Sequence, residues 1–235
     1  MNGYDEKTIA YLLKNLKAII LPERWHKFEH VLSHRTRYIT LVLENLFQAH
    51  NSSAVIRTCD CLGIQDLHII ENDNEYIINP DIVVGSNKWV NIYNYTEKKH
   101  NTLLCFENLK SKGYQIVATS PHVDGYLLNE LPLDKKTALV FGNEGHGLSD
   151  IALQHADAFV KIPMYGFTES YNISVSAALC MYELGSKLRK SQFAWQLSEA
   201  EKNELLIEFA LKTIRNPEIF KRKLLRDLNI TGYIN

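Results

Sequence analysis

The sequence predicts an α/β fold with a mostly parallel sheet, preceded and followed by helical segments. Three observations predict it. Short β-rich apolar runs alternate with stretches of helical spacing between Thr40 and Lys190. Several of these runs are continuous rather than alternating, as strands covered on both faces require. The first forty and last forty-five residues carry helical periodicity without such runs.

In chain order, Ile9, Leu12, Leu13, Leu16 and Ile19 or Ile20 follow helical spacing. Pro22 restarts a second helix with Trp25, Phe28 and Leu32 inward, while His26, Lys27, His30, His34, Arg35 and Arg37 decorate it and its exit. Strands are expected at Thr40–Leu46, Asp66–Glu71, Val90–Tyr95, Tyr114–Ser120, Thr137–Gly142 and Ala158–Ile162. Helices are expected at Ser52–Leu62, Glu97–Lys112, Ser149–His155 and Asn172–Lys190. Beyond Ser191, Ser198 with Glu201 forms a capping box, and Asn216 with Pro217 opens a last helix by cap and first-turn proline. Three segments follow: 1–40, 41–190 and 191–235. In α/β sheets of this kind, ligands bind beyond the carboxyl ends of strands.

The 235 residues suit one medium domain with extensions, or two small domains. No apolar run is long enough to span a bilayer, and Met1 to Lys7 lack the order of a signal peptide. Cys59, Cys61, Cys105 and Cys180 form no Cys-x-x-Cys pair, so no zinc site or disulfide framework is expected, and reduced thiols in a cytoplasmic protein are. Net charge is −1, unevenly spread. Residues 1–40 hold seven Lys/Arg against four Asp/Glu, residues 186–235 ten against six, and the middle nine against seventeen. Basic flanks around an acidic centre suit an anionic partner; solvated helix faces are the plainer alternative.

Three constellations could carry chemistry. The first runs from Leu43 to Arg57. Asn51 stands where a strand turns into a helix, a natural N-cap. Arg57 lies on a largely apolar helix with Ser53 on its face, which calls for an anionic partner or a structural salt bridge. The second is Phe141-Gly-Asn-Glu-Gly-His-Gly147, three glycines around Glu144 at a strand's carboxyl end; its order matches neither a Walker loop nor a dinucleotide fingerprint. The third is Ile162-Pro-Met-Tyr-Gly-Phe-Thr-Glu-Ser-Tyr-Asn172, a polar turn holding Ser170 and Asn172 before a helix of small residues. Singly, each reads equally as a salt bridge, a glycine turn or a capped helix.

Together, in this order and spacing, the three segments resemble motifs 1, 2 and 3 of the SpoU (TrmH) family of SPOUT methyltransferases. Gly85-Ser-Asn-Lys-Trp89 resembles an intermediate segment of the same family. The resemblance implies a SPOUT-type sheet with helices on both faces, a C-terminal trefoil knot and a homodimer. It implies S-adenosyl-L-methionine as cofactor, contacted near Thr119, Gly142, Ile162, Met164 and Tyr171. Asn51 and Arg57 match the motif 1 pair, Glu144 the motif 2 acid, and Ser170 with Asn172 the motif 3 pair. Arg57 is the essential group, as base or as stabiliser of an alkoxide; a guanidinium is a poor base. The helical extensions and the Pro22–Leu32 stretch resemble the members that methylate the ribose 2′-hydroxyl of the D-loop guanosine at position 18 of tRNA. Arg35, Arg37, Lys221, Arg222, Lys223 and Arg226 are the expected RNA contacts. Motif 2 is shared with rRNA-directed members, which keeps an rRNA 2′-O-methyltransferase as the alternative, beside a SPOUT-fold RNA-binding protein without catalysis.

Overall fold

The computed structural model describes residues 4–74, 76–97 and 100–228. Lys98 and Lys99, expected in the helix from Glu97, and the end of the expected C-terminal extension lie outside the described residues. The chain divides into two compact units. One is Thr36–Trp195. The other joins the two chain ends, Met1–Arg35 and Gln196–Asn235.

The first unit holds a seven-stranded sheet with every strand pair parallel: β1 (Ile39–Glu44), β2 (Asp66–Ile70), β3 (Asn91–Tyr95), β4 (Tyr114–Thr119), β5 (Tyr126–Leu127), β6 (Lys136–Phe141) and β7 (Ala158–Lys161). Their spatial order is β3-β2-β1-β6-β4-β7-β5. Its helices are α3 (Ala49–Leu62), α4 (Pro80–Val83), α5 (Asn101–Ser111), α6 (Asp150–His155) and α7 (Ile173–Arg189). Alternate side chains along each strand face opposite ways. Leu41, Leu43, Leu139 and Phe141 therefore pack with Val55, Ile56 and Cys59 of α3 and with Ala177, Met181 and Leu184 of α7. Val42, Ala138 and Val140 pack on the other face with Cys105, Phe106 and Leu109 of α5 and Ala152 of α6. This double cover explains the unbroken apolar runs.

Three local expectations need correction. The first strand stops at Glu44, not Leu46, because Asn45 takes a left-handed backbone (φ 56°) that a strand cannot continue. Helix α3 starts at Ala49 with Gln48 as its cap residue, so Asn51 lies inside the first turn and is not the N-cap. Asn216 is itself left-handed (φ 57°) and its side chain caps nothing, although Pro217 does open the helix. The two-residue edge strand β5 and the short α4 were not foreseen. Asn79, whose side chain accepts the Asp81 amide, and Pro80 are its start signal.

The second unit contains α1 (Glu6–Ile19), α2 (Pro22–Ser33), α8 (Glu199–Leu211) and α9 (Pro217–Asp227). Ser198 and Glu201 form the expected capping box. Leu12, Leu16, Trp25, Phe28, Leu205 and Phe209 are buried, and Phe28 meets Phe209 edge-on with ring centroids 6.1 Å apart.

Candidate active site

A cleft of about 600 Å³ opens beyond the carboxyl ends of β4, β6 and β7, within the ordinary size range for a small-molecule site. Thr119 borders it at the end of β4, Gly142 after β6, Ile162 and Met164 after β7, and Tyr171 ahead of α7. Glu144, Ser170 and Asn172 line it as well. Gly142 cannot carry a side chain, because an added Cβ would collide with the Gly147 carbonyl and the Leu148 amide. The loop closes on itself there through paired Asn143–Gly147 backbone bonds of 2.8 and 2.9 Å.

The three motif segments are joined by one hydrogen-bond chain. The Ser174 amide donates to Asn172 Oδ1 (2.8 Å), which makes Asn172 the N-cap of α7. Asn172 Nδ2 donates to Asn51 Oδ1 (3.0 Å), and Asn51 Nδ2 donates to Glu144 Oε1 (2.8 Å) and to Gln48 Oε1 (3.1 Å). Glu144 also accepts the amides of Phe47 (3.0 Å) and Gln48 (3.2 Å). A carboxylate at the start of α3 answers unpaired amides and the positive end of the helix dipole. Burial alone would push the Glu144 carboxyl up, but the Phe47 amide, the Asn51 side chain and the Gln48 amide together hold it below the ordinary carboxylate range. Glu144 is thus kept ionised and fully engaged as an acceptor.

Arg57 stands apart from this group. It is exposed on α3, does not line the cleft, and makes no ion pair among the described residues. Six residues after Asn51, it lies about 9 Å along the helix and about 120° around it. Ser53, four residues before it on α3, accepts the Asn79 amide (2.8 Å).

Two of the expected RNA contacts are engaged within the fold, Arg35 by full burial and the partly exposed Arg37 by an ion pair. Arg35 is 1% exposed, with its guanidinium 5.8 Å from the centre of the Phe209 ring. Arg37, two residues ahead of β1, pairs with Asp66, the first residue of β2, at 3.1 Å. Both serve the interior, where a planar cation on an aromatic face or on a carboxylate is stable. On α9, Arg222, Lys223 and Arg226 are exposed, while Lys221 is half-buried over the Tyr4 ring (5.6 Å).

Sequence reasoning missed the residue that holds these loops in place. Asn45 Oδ1 accepts the amides of Asp73 (2.9 Å) and Asn74 (2.8 Å), and its carbonyl accepts Asn143 Nδ2 (2.8 Å). An asparagine ending an apolar run was the available signal, since asparagine tolerates the left-handed region. Gln48, His122 and Lys161 also line the cleft and were not foreseen. Among the described residues no group of three His, Cys, Asp or Glu side chains could hold a metal ion, and no helix is long and apolar enough to cross a membrane.

Comparison with known proteins agrees with this geometry. The chain is 45% identical to the tRNA (guanosine(18)-2′-O)-methyltransferase of Borreliella burgdorferi, over 86% of this chain and 90% of that protein. It is 32% identical to the protein of the same name from Aquifex aeolicus, over 85% and 94% of the two chains. The crystal structure of the A. aeolicus TrmH/SpoU tRNA modifying enzyme superposes with a TM-score of 0.71, covering 82% of this chain and 98% of that one. The profile of the SpoU rRNA Methylase family matches residues 38–182, from the start of β1 through most of α7. The chain belongs to the SpoU rRNA Methylase family.

Proposed function

We propose that this protein transfers a methyl group from S-adenosyl-L-methionine to the ribose 2′-hydroxyl of the D-loop guanosine at position 18 of tRNA. The observation that carries this reading is the Ser174–Asn172–Asn51–Glu144 chain beside the cleft, which ties three distant segments into one polar wall. The relatives that align over nearly their whole length bear the name of this activity.

The cleft suits the cofactor. Val160, Ile162 and Met164 offer an apolar wall for a flat base, and Gly142 is the residue at which the β6 loop closes tightly on itself at the cleft edge. Thr119, Gly142, Ile162, Met164 and Tyr171 would hold it. When bound, S-adenosylmethionine supplies an electrophilic methyl group on a sulfonium centre. Ser170 and Asn172 orient the ribose beside it, since such a transfer depends on in-line placement. Asn51 and Glu144 act as positioning residues, fixing Asn172 and the start of α3. Arg57, always charged, stabilises the oxyanion that forms as the hydroxyl proton leaves.

Arg57 is off its own chain's cleft, so a second copy supplies it. The protein therefore works as a homodimer. Val175, Leu179 and Tyr182 form an exposed stripe along α7 at helical spacing, continuing from exposed Tyr171, and this is the face a second copy would cover. Lys221, Arg222, Lys223 and Arg226 of α9 contact RNA phosphates, and the protein acts in the cytoplasm.

Incubation with total tRNA and methyl-labelled S-adenosylmethionine, followed by mapping of the modified nucleotide, tests the reading. Label on the ribose of guanosine 18 is expected. Label on a base, or no label on tRNA while a parallel incubation with rRNA is labelled, would overturn it.

A further inference from the structure

Phe47 combines two properties that rarely coincide. The residue is 74% exposed, yet its backbone is firmly held. The Phe47 amide donates to Glu144, and two residues earlier Asn45 bonds to the loops at Asp73, Asn74 and Asn143. The backbone here is fixed by these bonds, and the ring stays in solvent, although burying a phenylalanine is worth about 1.5–3 kcal/mol.

What surrounds the ring points to an occupant. Gln48, the next residue, lines the cleft, and Phe47 and Gln48 also line a second, small pocket with Asn74, Tyr76 and Ile77. Ile77 is itself 58% exposed. The small pocket has room for a group about the size of one water, about 30 Å³. Tyr76, on its wall, has a buried hydroxyl with no hydrogen-bond partner among the described residues. An apolar ring facing solvent suits the flat face of a nucleobase, and the recess, mostly apolar but with Gln48, Ser52, Asn74 and the unpartnered Tyr76 among its lining residues, offers polar groups to an edge of the base. Unpaired RNA bases are bound by stacking on aromatic side chains with hydrogen bonds to their edges.

We propose that Phe47 is the platform on which the base of the target nucleotide stacks, which holds that nucleotide's ribose over the cleft. The assignment rests on the RNA-methylation reading above. It makes Phe47 a substrate-binding residue and the Tyr76 recess the seat of an edge group of the base.

The test measures methyl transfer to tRNA, RNA binding, cofactor binding and oligomeric state for the wild type, Phe47→Ala, Phe47→Leu and Phe47→Trp. Phe47→Ala should weaken RNA binding or raise KM for tRNA about 5- to 150-fold, the effect of losing one base–aromatic stack. Phe47→Trp should restore it and Phe47→Leu should not, because leucine keeps apolar area without a π-face. Binding of S-adenosylhomocysteine should stay unchanged throughout. An unaffected Phe47→Ala, or a Phe47→Leu as good as Phe47→Trp, overturns the platform and leaves the methyltransferase reading standing. A Phe47→Ala that changes the oligomeric state assigns the ring to a second copy and overturns it too. A wild type that neither binds nor methylates RNA overturns both readings.

Discussion

Asn51→Asp is an isosteric change at a residue 1% exposed, and it turns the centre of the polar wall against itself. The amide that donates to Glu144 Oε1 at 2.8 Å becomes a carboxylate oxygen facing another carboxylate oxygen. With charge centres about 4 Å apart and an effective dielectric near 20, two ionised groups repel by about 4 kcal/mol. Taking up a proton instead, at pH 7 from an ordinary carboxylate range near 4, costs about 1.4 kcal/mol per pH unit, again about 4 kcal/mol. Glu144 is exposed to solvent, which screens roughly half of either figure, leaving about 2 kcal/mol. For a domain of this size that lowers Tm by roughly 4–8 °C. The shared proton raises the pair's pKa in the folded state. The variant's deficit is therefore full at pH 7 and shrinks as pH falls toward 5. Adding Glu144→Gln restores a donor opposite the new carboxylate and should recover at least half of the loss. Thermal unfolding of the wild type and the single and double variants at pH 5 and 7.5 measures all of this. An Asn51→Asp protein as stable as the wild type at pH 7.5, or a deficit indifferent to both pH and Glu144→Gln, would refute the chain as the element that joins the three segments.

Three further outcomes are expected. Arg57→Ala should abolish methyl transfer while changing stability by no more than about 0.5 kcal/mol, since the side chain is exposed; mixing it with an Asn172→Ala variant should regain activity, because one site of the mixed dimer is intact, and no recovery would place Arg57 in its own chain's cleft. Burial pulls the His68 imidazole down to about 3, with Lys112 adding to the effect, so folding keeps it neutral; its contribution is present above pH 6.5 and is lost at up to about 1.4 kcal/mol per pH unit below it, a slope that urea titrations should find flattened in His68→Phe. Replacing Lys221, Arg222, Lys223 and Arg226 with alanine should weaken RNA binding and flatten its dependence on salt, and an unchanged slope would return α9 to a purely packing role.

The sheet was legible because parallel strands covered on both faces leave unbroken apolar runs, and Val42, Leu67 and Val140 sit in such runs. The site was legible only as three separate segments. Nothing local reveals that Asn51 reaches Glu144, 93 residues away, and Asn172, 121 away. Arg35 misled for the same reason. A basic residue after a helix reads as surface until Phe209, from the far end of the chain, lies under its guanidinium. Asn45 was hidden inside an expected strand because its backbone angle, not its polarity, carries its role. Strand β5, two residues at the sheet edge, is too short to show any period.

The unit built from both chain ends sets an order on biosynthesis. Helices α1 and α2 leave the ribosome first, but their apolar residues Leu12, Leu16, Trp25 and Phe28 pack in a unit completed by α8 and α9. Roughly 160 residues are made in between, about 8–30 s of translation. Through that interval the leading helices present an uncovered greasy surface while the sheet behind them can already close. A nascent chain of this protein is a client for holding chaperones at its front rather than its middle, and truncation just before α8 would leave that front permanently sticky.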